Sequence, residues 1–283
     1  MTSNMASGKI LILGAKGMLG RQLVEVFGDE AVGWDRQECD VVKIEDLRLK
    51  IENLKPKAII NCVAYNDVDG AEKSQELALR INAEAVGNLA KICRLLDIPL
   101  VHFSTNYVFD GVKGEYREDD QPRPLSVYAE SKFQGELELK NNTDKFYLIR
   151  TAVLFGPEGH SPSSKKSFVQ LMLDLSKTSK AIRAVNDEIN SLTYAVDLAG
   201  AVKLLLEEQK PFGVYHIVNS GEASWFEFAR EIFAITRQSI RLIPVTAKAF
   251  VQQAERPQKA VLINTKLPPL RPWEDALRDF LGS

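Results

Sequence analysis

Short apolar runs alternate with helix-spaced stretches through the first half of the chain. Lys9–Leu13 is an apolar run that ends at a glycine, and Gly17–Phe27 repeats Leu19, Leu23, Val24 and Phe27 at helical spacing. Glu30–Trp34, Lys57–Val63, Pro99–Phe103 and Phe146–Leu154 read as further strands. Ala71–Leu96 reads as one long helix with a break near Gly87, and Val127–Leu139 as another helix. Uniformly apolar strands separated by helices belong to a parallel sheet covered on both faces. The expected fold is therefore α/β, a Rossmann-type doubly wound sheet with a smaller C-terminal substrate-binding lobe.

The pattern loosens beyond about residue 157. Gly156–Lys166 is rich in Gly, Pro, Ser and Lys and reads as a mobile loop. Helices are expected over Phe168–Ser176, from near Tyr194, and over Trp225–Ile235, with a strand at Val214–Val218. This divides the chain into a dinucleotide-binding domain, 1–156, and a substrate-binding lobe, 157–283, some segments of which return to the main domain.

Composition narrows the classes. At 283 residues, 45% hydrophobic and 26% charged, the chain matches ordinary globular proteins. A net charge of -2 leaves no basic excess for a nucleic-acid backbone. Cys39, Cys62 and Cys93 lack ligand spacing and read as buried reduced thiols, and no His, Cys and carboxylate cluster suggests a metal. His102 and His216 fall in strand-like runs and read as core or edge residues. The opening MTSNMASG is small and polar, unlike a signal peptide. No apolar run approaches the roughly 20 residues that cross a bilayer. A cytoplasmic protein without membrane partner is expected.

The segment Gly14-Ala15-Lys16-Gly17-Met18-Leu19-Gly20 follows the first strand and opens the first helix. The first glycine permits a tight turn, the second lets the backbone approach a pyrophosphate, and the third lets helix and strand pack closely. Gly14, Gly17, Met18, Leu19 and Gly20 are thus expected to hold a dinucleotide at a helix N-terminus. Asp35, at the end of the second strand, suits a free ribose 2′-hydroxyl and NADH; its neighbour Arg36 suits a 2′-phosphate and NADPH. Both cofactors stay open. Asp40 and Val41 are expected beside the adenine.

Tyr128 and Lys132 stand four residues apart, which places them on one helix face. A nearby ammonium lowers a phenol's pKa and fits it for proton transfer. Thr105 ends a strand at the sheet edge where ligands bind, and its hydroxyl is expected to hold a substrate carbonyl. Ser104 points to the opposite side. Together these residues suit hydride delivery to a ketone, with Tyr128 donating the proton.

These motifs resemble extended short-chain dehydrogenase/reductases, and within them the dTDP-4-dehydrorhamnose reductases. The likeness runs through Asn61-Cys62-Val63-Ala64-Tyr65, Ile81-Asn82-Ala83, Ser104 to Gly111, Pro124-Leu125, Arg150-Thr151, Thr193-Tyr194-Ala195, Trp225 to Ala229 and Arg256-Pro257. It implies reduction of the 4-keto group of a dTDP-6-deoxyhexose to dTDP-L-rhamnose, with Thr105, Tyr128 and Lys132 catalytic. It also implies that Val63, Ala64 and Tyr65 line the cofactor and that Asn106 and Val153 face the sugar; the oligomeric state stays open, with a homodimer one of the options. The chain departs from the family where Asn106 replaces Asp, Val153 replaces Trp, and Asn190-Ser191-Leu192 replaces Gly-Ser-Pro. Compensated drift and an altered sugar both explain this, so a reductase or epimerase of another nucleotide sugar is a rival reading. A non-catalytic, cofactor-binding regulatory subunit is another.

Overall fold

The computed structural model describes residues 8–161 and 166–282. The first seven residues of the polar N-terminal stretch, and residues 162–165 of the loop expected at Gly156–Lys166, lie outside the described residues. Within those described, six strands form a parallel sheet in the order Gly213–His216, Phe146–Thr151, Leu100–Thr105, Ala58–Asn61, Ile10–Leu13, Ala31–Trp34.

The apolar runs are explained by two covered faces. On one, helices Met18–Phe27 and Ala195–Glu207 bring Leu19, Leu23, Leu198 and Val202 against Ile12, Ile60, Val101 and Ile149. On the other, helices Ile44–Leu54, Ala85–Leu96 and Val127–Asn142 bring Ile51, Leu89 and Leu139 against Leu11, Ile59, Leu100 and Leu148. Chain order reverses beside Ile10–Leu13, whose neighbours are Ala31–Trp34 and Ala58–Asn61. The strands' carboxyl ends at such a reversal form a ligand crevice. A separate core joins Phe155, Val169, Tyr194, Phe228 and Trp273 from the second half of the chain.

Two expected elements differ in detail. The long helix is divided into Val68–Lys73, Gln75–Leu79, a π-helical turn Arg80–Glu84, and Ala85–Leu96. Gly87 does not break it: a Cβ there would stand 2.4 Å from a Glu138 carboxylate oxygen, so its smallness admits the neighbouring helix. The strand expected over Phe146–Leu154 stops at Thr151 and resumes as Leu154–Phe155. Between them Val153 has φ +36°, a left-handed conformation that a β-branched residue adopts only under strain.

Candidate active site

The glycine turn is shaped for close approach. Gly14 has φ +75°, and a Cβ on Gly20 would lie 2.1 Å from the Gly14 carbonyl oxygen. Gly17 caps helix Met18–Phe27 without a side-chain hydrogen bond, so the first-turn N–H groups have no internal side-chain acceptor. This backbone cradle fits the pyrophosphate of a nicotinamide dinucleotide. The described part of the following loop folds against it: His160 and Ser161 N–H groups donate to the Lys16 carbonyl at 2.7 and 3.1 Å, and Arg21 donates to the Glu158 carbonyl at 2.5 Å. The Asp35 N–H donates to Glu38 at 2.9 Å, and the exposed Arg36 pairs with Asp40 at 3.6 Å. Val41 is buried in the core under helix Ile44–Leu54.

Val63, Ala64 and Tyr65 continue from strand Ala58–Asn61. Asn61 fixes this segment by accepting from the Val63 N–H at 3.1 Å. Asn82, in the π-helical turn, clamps it more firmly. Its oxygen accepts from the Tyr65 N–H at 2.8 Å, while its amide donates to the Tyr65 carbonyl at 3.0 Å and to the Ser131 hydroxyl at 2.9 Å. Ser131 in turn donates to the Tyr128 carbonyl at 2.8 Å. Every polar group of the buried amide is therefore used. One side chain ties the expected cofactor-lining segment to the helix that bears Tyr128 and Lys132. Sequence reasoning assigned neither Asn82 nor Ser131 a role; the available signal was a polar residue in helical line with the apolar, buried Ala78, Ala85 and Leu89.

Thr105, Tyr128 and Lys132 do converge. Thr105 ends strand Leu100–Thr105, and Ser126 caps helix Val127–Asn142, whose first two turns carry Tyr128 and Lys132. Burial pushes the Tyr128 phenol up to about 12, with the Thr105 side chain hydrogen-bonded to it and pulling the other way. The expectation that Lys132 lowers this pKa is not met in this geometry. The Lys132 ammonium donates to the Phe103 carbonyl at 2.6 Å, and burial lowers its own pKa to about 8, with Glu136 opposing. Glu136, one turn further along, receives a bidentate bond from Arg150 at 2.9 and 2.7 Å. Burial disfavours the Glu136 charge, but Arg150 outweighs it and holds the carboxyl below its usual pKa.

Asn106 is buried beside Thr105 and reaches the second half of the chain. Its amide donates to the Asn190 side-chain oxygen at 2.8 Å and to the Ala260 carbonyl at 2.9 Å. Tyr107 stands edge-on to Tyr128 with ring centroids 6.3 Å apart. Val153 is half-buried and packs against the second core.

A family model described as RmlD substrate binding domain matches residues 8–283. The chain belongs to the RmlD family. It is 34% identical to the dTDP-4-dehydrorhamnose reductase of Mycolicibacterium smegmatis, over 97% of this chain and 85% of that protein. It is 35% identical to a probable dTDP-4,6-dihydroxy-2-methyloxan-3-one 4-ketoreductase of Streptomyces antibioticus, over 95% of this chain and 93% of that one. Among solved structures, the dTDP-4-dehydrorhamnose reductase of Bacillus anthracis in complex with NADP superimposes with a TM-score of 0.92 at 33% identity, covering 96% of this chain and 98% of that one. The crevice, turn and Thr105–Tyr128–Lys132 group of this RmlD-family chain thus sit in a fold shared along nearly its whole length.

Proposed function

We propose that this chain is an NAD(P)H-dependent reductase of the 4-keto group of a dTDP-4-dehydro-6-deoxyhexose, converting dTDP-4-dehydrorhamnose to dTDP-L-rhamnose. The observation that carries this reading is the convergence of Thr105, Tyr128 and Lys132 at the strand ends beside the glycine turn. Gly14, Gly17, Met18, Leu19 and Gly20 hold the dinucleotide phosphates, Asp35, Arg36, Asp40 and Val41 the adenosine end, and Val63, Ala64 and Tyr65 the nicotinamide end. The bound cofactor supplies hydride to the ketone carbon. Thr105 orients the ketone oxygen. Tyr128 gives that oxygen its proton as the alkoxide develops. Lys132, on the same helix and held by the Phe103 carbonyl, is placed to bond the ribose of the bound cofactor.

Among the described residues, no helix is long and apolar enough to cross a membrane. The substrate is a nucleotide sugar, and assembly as a homodimer is part of the same proposal. The named reductases among its relatives support an enzyme over a regulatory subunit, and co-purification with a stoichiometric catalytic subunit, with no turnover alone, would favour the subunit.

The test follows NADPH or NADH absorbance with dTDP-4-dehydrorhamnose. Wild-type protein is expected to consume the cofactor, and Tyr128→Phe to lose at least about a hundredfold in kcat while still binding it. An inactive wild-type protein across both cofactors and several dTDP-ketosugars removes the proposed reaction. A Tyr128→Phe enzyme of near-normal rate removes Tyr128 as proton donor.

A further inference from the structure

The Thr105 hydroxyl has one proton and more than one candidate acceptor. It donates to the Asn106 side-chain oxygen at 3.4 Å, accepts from the Tyr107 N–H at 3.2 Å, and is hydrogen-bonded to the Tyr128 phenol. The Asn106 amide cannot turn to relieve this competition. Both protons of its nitrogen are committed, to the Asn190 oxygen at 2.8 Å and the Ala260 carbonyl at 2.9 Å, and both of those partners are acceptors. The oxygen of Asn106 is therefore locked towards Thr105. The side chains of Asn106 and Asn190 are 1% and 2% exposed, so water does not take over either bond.

We propose that Asn106, locked by Asn190 and Ala260, is a positioning residue that parks the Thr105 proton on a weak, neutral acceptor and releases it to the reacting oxygens during proton transfer. This rests on the assignment of Thr105 and Tyr128 given above. In the resting site Thr105 donates to Asn106. When Tyr128 passes its proton to the alkoxide, a phenolate is left. The Thr105 O–H then rotates from Asn106 to the phenolate, with no bond broken beyond the hydrogen bond exchanged. A neutral amide oxygen at 3.4 Å gives up that proton readily. In this chain a carboxylate at 106 would face two acceptors, Asn190 and Ala260, in place of two hydrogen bonds, whereas the Asp of the resembled family is paired with Gly in place of Asn190. Asn106 and Asn190 thus form one coupled unit that keeps the reaction centre uncharged next to Tyr128. This favours compensated exchange over a change of sugar as the meaning of Asn106, because its polar atoms face Thr105 and the second half of the chain.

A double-mutant cycle tests it. Asn106→Asp is expected to lower kcat on the order of tenfold with KM changed less than about threefold, and to increase the solvent isotope effect on kcat. In a Thr105→Val background, which has no hydroxyl to hold, Asn106→Asp is expected to have no further effect on kcat. A Thr105→Val enzyme of wild-type rate would overturn the assignment of Thr105 itself. An impaired Thr105→Val enzyme in which Asn106→Asp costs the same factor as in the parent would overturn the positioning role alone. Unfolding in urea checks the lock without activity. Asn106→Ala and Asn190→Ala are expected to be strongly non-additive, and additive losses would overturn the coupled unit.

Discussion

Lys132 shows how far a single residue's role departs from its stabilising value. Lys132 is 3% exposed and its ammonium makes a 2.6 Å bond to the Phe103 carbonyl, yet burial still brings its pKa from 10.5 to about 8. The charged form is therefore worse off in the folded protein than in the unfolded chain. That penalty is complete below pH 8, shrinks as the pH rises and is gone by about 10.5, where neither state carries the charge. Lys132→Met is expected to abolish reduction and to raise the melting temperature by roughly 2–4 °C at pH 7. The gain should be smaller at pH 10. Calorimetry at both pH values checks this, and a variant that melts lower than wild type at pH 7 contradicts it. Tyr128 and Lys132 were legible in the sequence because their spacing alone puts them on one helix face. The direction of Asn106 was not, since its partner Asn190 lies 84 residues away and belongs to another strand.

At the level of elements, the site depends on how closely two helices approach. Gly135, on the helix that carries Tyr128 and Lys132, lies against the π-helical turn, and a Cβ there would fall 2.0 Å from the Asn82 carbonyl oxygen. The obstacle is backbone, so no side-chain rotation relieves it. Gly135→Ala is expected to destabilise the protein by about 1–3 kcal/mol. It should also lower kcat, because separating the helices breaks the Asn82–Ser131 bond. Urea unfolding and steady-state rates check both effects, and a stability change within about 0.5 kcal/mol would show that the helices yield easily. This contact was not legible beforehand. The run Ala71–Leu96 has the periodicity of one helix, and nothing local announces that one turn widens to aim Asn82 inward. By contrast, the glycine turn was legible because its three residues act within seven positions of one another.

Across the whole molecule, the buried polar network behind the site makes stability depend on acid. His216 touches Ile263, Glu118 and Arg150, with Glu136 close behind. Burial, reinforced by the Arg150 charge, lowers its pKa to about 4, and burial with Lys132 nearby also lowers that of His102. Each histidine is neutral in the fold and gains its proton in the unfolded chain near pH 6.5. Unfolding free energy is thus expected to be undiminished by these groups above pH 6.5 and to fall as the pH drops from 6.5 towards 4. Urea unfolding at pH 7 and pH 5 checks this, and equal midpoints would contradict it. The parallel sheet and the strand–helix alternation were legible from apolar runs alone. The histidine and carboxylate contacts were not, because they join residues from both halves of the chain.

The sheet order carries a further consequence for synthesis. Strand Gly213–His216 pairs with Phe146–Thr151, and helix Ala195–Glu207 covers the same face as helix Met18–Phe27. A nascent chain that has left the ribosome only as far as residue 156 therefore holds the glycine turn, Thr105, Tyr128 and Lys132, but exposes an unpaired strand edge and an uncovered apolar face. The residues proposed as catalytic are all made early, while the segments that shield their scaffold arrive some sixty residues later, as the interval between Phe146–Thr151 and Gly213–His216 requires. That interval is expected to be the one in which the growing polypeptide is most exposed to aggregation.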